Sequence, residues 1–171
     1  MLGGMRGTVG ALPVAALSAL VLAGCGSSGR HPNRVAACAS EVRTGVLPQW
    51  ARAGFSDPRP RMPYEVGRGG DIAALVWGFP LLSPPPRTHN NKILWVSRVT
   101  TRPSSNLRIA AQRMQGTRPI GTPVSRTVNG GPGPSIIDLP KSGCWRLTLR
   151  WSGRVDSLDL DCVANRRSPN P

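Results

Sequence analysis

Apolar and polar residues follow three different patterns along this chain. Thr8 to Ala23 is apolar and small, with no charged residue. Gly26 to Asn33 is small and polar and reads as a flexible tether. From Asp71 onward, short apolar segments alternate with turn residues. Asp71 to Phe79 (DIAALVWGF) is a continuous apolar run between Gly69-Gly70 and Pro80. Lys92 to Arg98 (KILWVSR) is rich in branched and aromatic residues, and Leu107 to Met114 alternates at Leu107, Ile109 and Ala111. Val124 to Val128 and Ser135 to Leu139 are shorter. Proline and glycine clusters at 84–86, 130–134 and 140–143 separate them. Several short strands with such breaks, in one modest domain, predict a mainly β, antiparallel sandwich.

Helical signals are confined to the front. Asn33 caps a predicted helix over Arg34 to Val42, ended by Gly45. Leu47 to Phe55 reads as a turn of helix presenting Trp50 and Phe55. Pro58, Pro60 and Pro63 then keep the chain extended to Tyr64.

The last hairpin is legible in detail. Trp145, Leu147, Leu149 and Trp151 alternate with Arg146, Thr148 and Arg150, so the two sets lie on opposite faces. The return strand sets Leu158, Leu160 and Cys162 against Asp159 and Asp161. A turn over Ser152 to Val155 pairs Trp151 with Asp156, Leu147 with Leu160, Trp145 with Cys162 and Arg146 with Asp161. A slip of one residue would bring Leu147 against Asp159. In this register Cys144 and Cys162 point to opposite faces, too far apart for a bridge, which needs Cβ atoms about 3.8 Å apart. Cys38 therefore pairs with Cys144 or Cys162. The reading favours Cys144, with Cys162 buried beside Trp145.

Among tryptophans, Trp77 and Trp145 are expected in the core, and Trp50 and Trp151 are the better surface candidates.

Composition adds a location. Arg6 precedes the apolar run, which is short for a membrane span of roughly 20 residues and suits an export signal over residues 1–24. Leu22-Ala23-Gly24-Cys25 resembles the lipobox of bacterial lipoproteins. That resemblance implies cleavage before Cys25 and a diacylglyceryl group on its thiol. Each buried methylene contributes about 0.8 kcal/mol, so two or three acyl chains hold a protein at a bilayer. The implied organisation is signal 1–24, lipidated cysteine and tether 25–33, sandwich 34–165 and polar tail 166–171. The expected place is the outer side of the cell membrane, attached by lipid.

The segments LPQWARAGF, NKILWVSR, GPSIIDLPKSGCWRLTLRW and SLDLD resemble actinobacterial lipoproteins of unknown function. Gly143-Cys144-Trp145, following a strand that ends at Leu139, resembles the late strands of immunoglobulin-like domains. The resemblance implies an immunoglobulin-like sandwich with a GCW hairpin and no particular activity.

Formal net charge is +14, with arginine dominant, Lys92 and Lys141 being the only lysines. Such a field attracts polyanions. On an exported chain these are anionic wall polymers or lipid headgroups, not nucleic acid. Arg108, Arg113, Arg146 and Arg150 are the expected contacts.

Motifs for chemistry are missing. His31 lies in the tether and His89 in a polar loop, neither at ligand spacing from a cysteine or carboxylate. Asp156, Asp159 and Asp161 lack the glycine turn and distal glutamate of a calcium loop. There is no Gly-x-Ser-x-Gly, and no glycine-rich loop is followed by Lys-Ser or Lys-Thr. The expectation is no enzyme, no metal and no cofactor. Function is expected to be a binding or structural module of the envelope. The alternative is an accessory domain holding a ligand or substrate for a transporter or wall enzyme.

Overall fold

The computed structural model describes Cys38 and residues 42–99, 101–102 and 105–165. The predicted helix over Arg34 to Val42 lies outside these, apart from Cys38 and Val42, as do Cys25, His31 and the polar tail. The described strands are β1 (Arg43–Val46), β2 (Arg61–Val66), β3 (Ile72–Val76), β4 (Leu81–Ser83), β5 (Lys92–Ser97), β6 (Leu107–Gln115), β7 (Arg118–Val128), β8 (Pro134–Ile136), β9 (Gly143–Trp151) and β10 (Arg154–Ala164). They form two five-stranded sheets, one in the order β1-β2-β3-β5-β8 and the other β4-β10-β9-β6-β7. The class is a β-sandwich.

Some expectations change. Gly45 does not end a helix; it lies within β1, opposite Met62. Of the predicted helical turn over Leu47 to Phe55, one 3-10 turn remains, Gln49–Ala51. Leu47 and Ala51 go under cover there, but Pro48 and Gly54 bound the segment too closely for a longer helix. The sandwich is not wholly antiparallel, because β4 runs parallel to the end of β10, with Leu81 beside Cys162. The chain leaves β3 in one sheet, lends three residues to the edge of the other, and returns as β5.

The main core lies between the sheets. Ile72, Ala74, Val76, Ile93 and Trp95 from one meet Ile109, Trp145, Leu147, Leu149, Leu158 and Leu160 from the other. A second layer explains why Ile72–Val76 reads as an unbroken apolar run. Ala73 and Leu75 point outward and are covered by Leu47, Tyr64, Trp50 and Phe55. A strand covered on both faces loses its alternation.

The last hairpin keeps its predicted faces but not its predicted partners. Leu147 opposes Leu158, Trp145 opposes Leu160, and Arg146 opposes Asp159, a slip of two residues. The turn is the two-residue Ser152-Gly153, both at positive φ (44° and 76°), the geometry that matches strand twist in tight hairpins. Because side chains alternate with period two, this slip leaves every inward residue inward.

The triplet at the head of β9 does three local jobs. Gly143, at φ 116°, leaves room for the Arg113 guanidinium, whose Nε would lie 3.3 Å from a Cβ there. Cys144 points outward and is bonded to Cys38, with the two Cα atoms 5.1 Å apart, and Met114 packs against the pair. Trp145 points inward and donates from Nε1 to the Lys141 carbonyl at 2.8 Å. The bridge spans 106 residues of sequence. In the chain-entropy model, closing such a loop stabilises by about 4–5 kcal/mol.

Candidate functional site

The outer face of the second sheet carries three of the four arginines singled out from the sequence, Arg108, Arg146 and Arg150, and the structure divides them. Arg108 and Arg150 are direct cross-strand neighbours on β6 and β9. Both are exposed, and neither has an ion pair among the described residues. With Arg154, Ser105 and Asn106 they line an open depression of about 530 Å³ beside the Ser152-Gly153 turn. Like charges directly opposed across a ladder are destabilising by a few tenths of a kcal/mol up to about 1 kcal/mol. Arg154 is bound only loosely, its Nη1 3.9 Å from Asp71 Oδ2. The sequence reading missed Arg154, which the two-residue turn sets opposite Trp151.

Arg146 is not a free surface cation. Its Nε and Nη2 donate to Asp159 at 3.0 and 3.2 Å, and Arg68 Nη2 donates to the same carboxylate at 2.7 Å. Asp159 lies on the face that alternation gave it, opposite to Leu158 and Leu160, yet it is 1% exposed. The turn after β2 brings Arg68 across it, fixed by the Arg68 N–H to the Ser157 carbonyl at 2.8 Å. Asp156 secures the same turn, accepting from the backbone N–H of Gly69 at 2.7 Å and of Asp71 at 3.1 Å. Arg113 lies at the other end of β6, on the inward side opposite Trp145.

Glu65 lies at the margin of this charged group, buried, with Oε2 unpartnered among the described residues. Desolvation pushes its pKa above the usual carboxylate range. Arg43 opposes that shift, Asp159 adds to it, and Arg68 opposes it. Alternation on β2 sets Met62, Tyr64 and Val66 on one face and Glu65 on the other, but gives no sign that this second face is covered at Glu65.

The aromatic residues are placed differently from expectation. Trp77 is 54% exposed, one residue past the end of β3. It stacks on Phe55, with ring centroids 6.1 Å apart and planes 9° from parallel, and Lys92 Nζ lies 5.8 Å from its ring centre. Trp151, one of the two surface candidates, is buried, on the hairpin face the alternation gave it, and donates from Nε1 to Ser97 Oγ at 3.0 Å. Trp145 is in the core as expected, and Trp50 is partly buried.

Among the described residues, no group of three or more His, Cys, Asp or Glu side chains is arranged to hold a metal. No helix among them is long and apolar enough to cross a membrane. Cys162 is a free thiol, buried in the core with Trp145, and burial pushes its pKa up to about 12. A thiol so held is almost entirely protonated at neutral pH and is a poor nucleophile.

No family model and no curated protein matches the chain. Among solved structures, the chain is similar to a Bacillus anthracis protein described as a lipoprotein, at 17% identity and a TM-score of 0.43, over 72% of this chain and 86% of that one.

Proposed function

We propose that this chain is a lipid-anchored, non-enzymatic binding module of the bacterial envelope that holds an anionic wall polymer through the Arg108–Arg150 row. The observation that carries this reading is the pair itself. Two arginines stand side by side at an open depression with no carboxylate of their own, while the neighbouring Arg146 and Arg68 share the Asp159 carboxylate. A polyanion threading the depression relieves the repulsion between them and gains charge-assisted hydrogen bonds.

The anchor rests on the signal-like segment 1–24 and Leu22-Ala23-Gly24-Cys25. Twelve residues, thirteen Cα-to-Cα steps, separate Cys25 from Cys38, where the disulfide takes hold. At about 3.4 Å per extended residue, that leash keeps the domain within roughly 45 Å of the lipid. The immunoglobulin-like reading is supported by the order β7-β6-β9-β10, two hairpins joined through β6 and β9, facing β3-β5-β8. β1, β2 and the parallel β4 are additions to that plan. Kinship with actinobacterial lipoproteins rests on the sequence segments alone.

Retention of the mature chain on purified anionic wall polymer, measured across a salt gradient, tests the binding site. The variant R108Q/R150Q is expected to elute at lower salt than the charge-matched R87Q/R118Q. Equal loss in both variants, or no retention of the parent, refutes the assignment. For the anchor, Cys25→Ala is expected to leave the membrane fraction or to stall unprocessed.

A further inference from the structure

A cleft of about 340 Å³ opens at the β7 edge of the second sheet, bordered by the loop that leads into β9 and lined by none of the residues of the Arg108–Arg150 row. Its wall and floor are apolar, formed by Ile120, Val124, Pro140 and Trp145, and two cations reach it, Arg113 and Lys141. No carboxylate lines it. Neither cation has an ion pair among the described residues.

The cleft is built by an irregularity in the ladder. Between the pairs Ala111–Val124 and Arg113–Ile120, β6 spends one residue and β7 spends three. β7 therefore bows outward over Gly121-Thr122-Pro123, with Gly121 at φ 68°. Gln112 takes up carbonyls loosened by the bow, donating from Nε2 to Ile120 O at 2.8 Å and to Gly121 O at 3.4 Å. Bulges of this kind re-aim side chains and open sites. Here the bow leaves Arg113, a half-buried cation on the core-facing side of β6, beside an apolar recess. A charge partly removed from water without a counter-ion costs free energy unless something anionic joins it. Ligand pockets combine mostly apolar walls with a few converging polar groups, and volumes of this size lie at the small end of their range.

We propose that this cleft binds a small anionic amphiphile, with a phosphate or carboxylate head between Arg113 and Lys141 and a short apolar body against Trp145, Ile120 and Val124. This goes beyond the polymer-binding role and uses none of its residues.

Calorimetric titration of the mature chain with octyl phosphate tests the proposal, with octyl glucoside and inorganic phosphate as separated halves of the probe. Octyl phosphate is expected to bind at least about 10-fold more tightly than either half. The variant R113Q/K141Q, checked for an unchanged melting curve, should lose about 10-fold in affinity for it. R108Q/R150Q should bind it as the parent does, so failure of the polymer site and failure of the cleft read out separately. Octyl glucoside binding as well as octyl phosphate, inorganic phosphate matching it, an unaffected R113Q/K141Q, or no binding to the parent overturns the proposal. If R113Q/K141Q melts early, the comparison of the three probes on the parent decides alone.

Discussion

Replacing Asp159 with asparagine removes one negative charge that two arginines share. The carboxylate is 1% exposed and accepts three charge-assisted hydrogen bonds, at 2.7, 3.0 and 3.2 Å. An amide keeps one acceptor oxygen and turns its NH₂ toward a guanidinium. Breaking a fully buried ion pair costs about 3–5 kcal/mol. That figure is an upper bound here, because the Arg68 and Arg146 side chains remain 43% and 33% exposed and can take up water. Hydrogen bonds to charged groups contribute about 1.5–3 kcal/mol. The expected loss is therefore about 2–3 kcal/mol, a fall in Tm of roughly 10 °C for a domain of this size. Urea unfolding monitored by tryptophan fluorescence measures it, and an unchanged slope would assign the loss to the native state. The double variant R146Q/D159N should lose less than the two single losses combined, since either change alone breaks the same contact. Freed of Asp159, Arg146 joins the outer-face cations, so D159N should also elute from anionic polymer at higher salt than the parent. Stability within about 0.5 kcal/mol of the parent, the range of ordinary surface substitutions, would refute the view that this carboxylate joins the β2–β3 turn to the second sheet.

Glu65→Gln tests the buried carboxyl. A folded-state pKa raised above the unfolded value means that the folded chain holds the proton more tightly. Stability from this group is then present at acid pH and falls as pH rises through the window above the ordinary carboxylate value of 4.5. The variant should be more stable than the parent near neutral pH and alike near about pH 4; a loss at neutral pH would show that the ionised form is favoured by its arginines. Gly78→Ala should be severely destabilising by about 3 kcal/mol or more, as read by thermal melting, because a Cβ there would collide with the backbone carbonyl of Asn90. Cys162, with its thiol pushed up to about 12, should resist alkylation in the native chain and react only on unfolding. One rapid addition to native protein in a mass spectrum would contradict its burial.

The sequence alone determined the sandwich class, the inward set of the last hairpin and the burial of Trp145. Each follows from a strict period of two, which the pleat converts directly into faces. It did not determine β1 or β4, because four and three residues without alternation carry too little pattern. Nor did it determine the hairpin partners, since a shift of two residues leaves the face pattern identical and only the turn backbone at Ser152-Gly153 chooses between them. Trp77 was misplaced for a related reason. An apolar run covered on both sides gives no sign of where cover stops, and here it stops at Val76.

The charged positions depended most on tertiary structure. Arg108, Arg113, Arg146 and Arg150 look alike along the chain. They became a free pair through the β6–β9 ladder, a cleft cation through the β6–β7 bulge, and a partner of Asp159, which Arg68, about ninety residues away in sequence, also reaches. A side chain's charge is written in its identity, but whether that charge is available depends on which distant group reaches it, and only the packed fold brings such groups together.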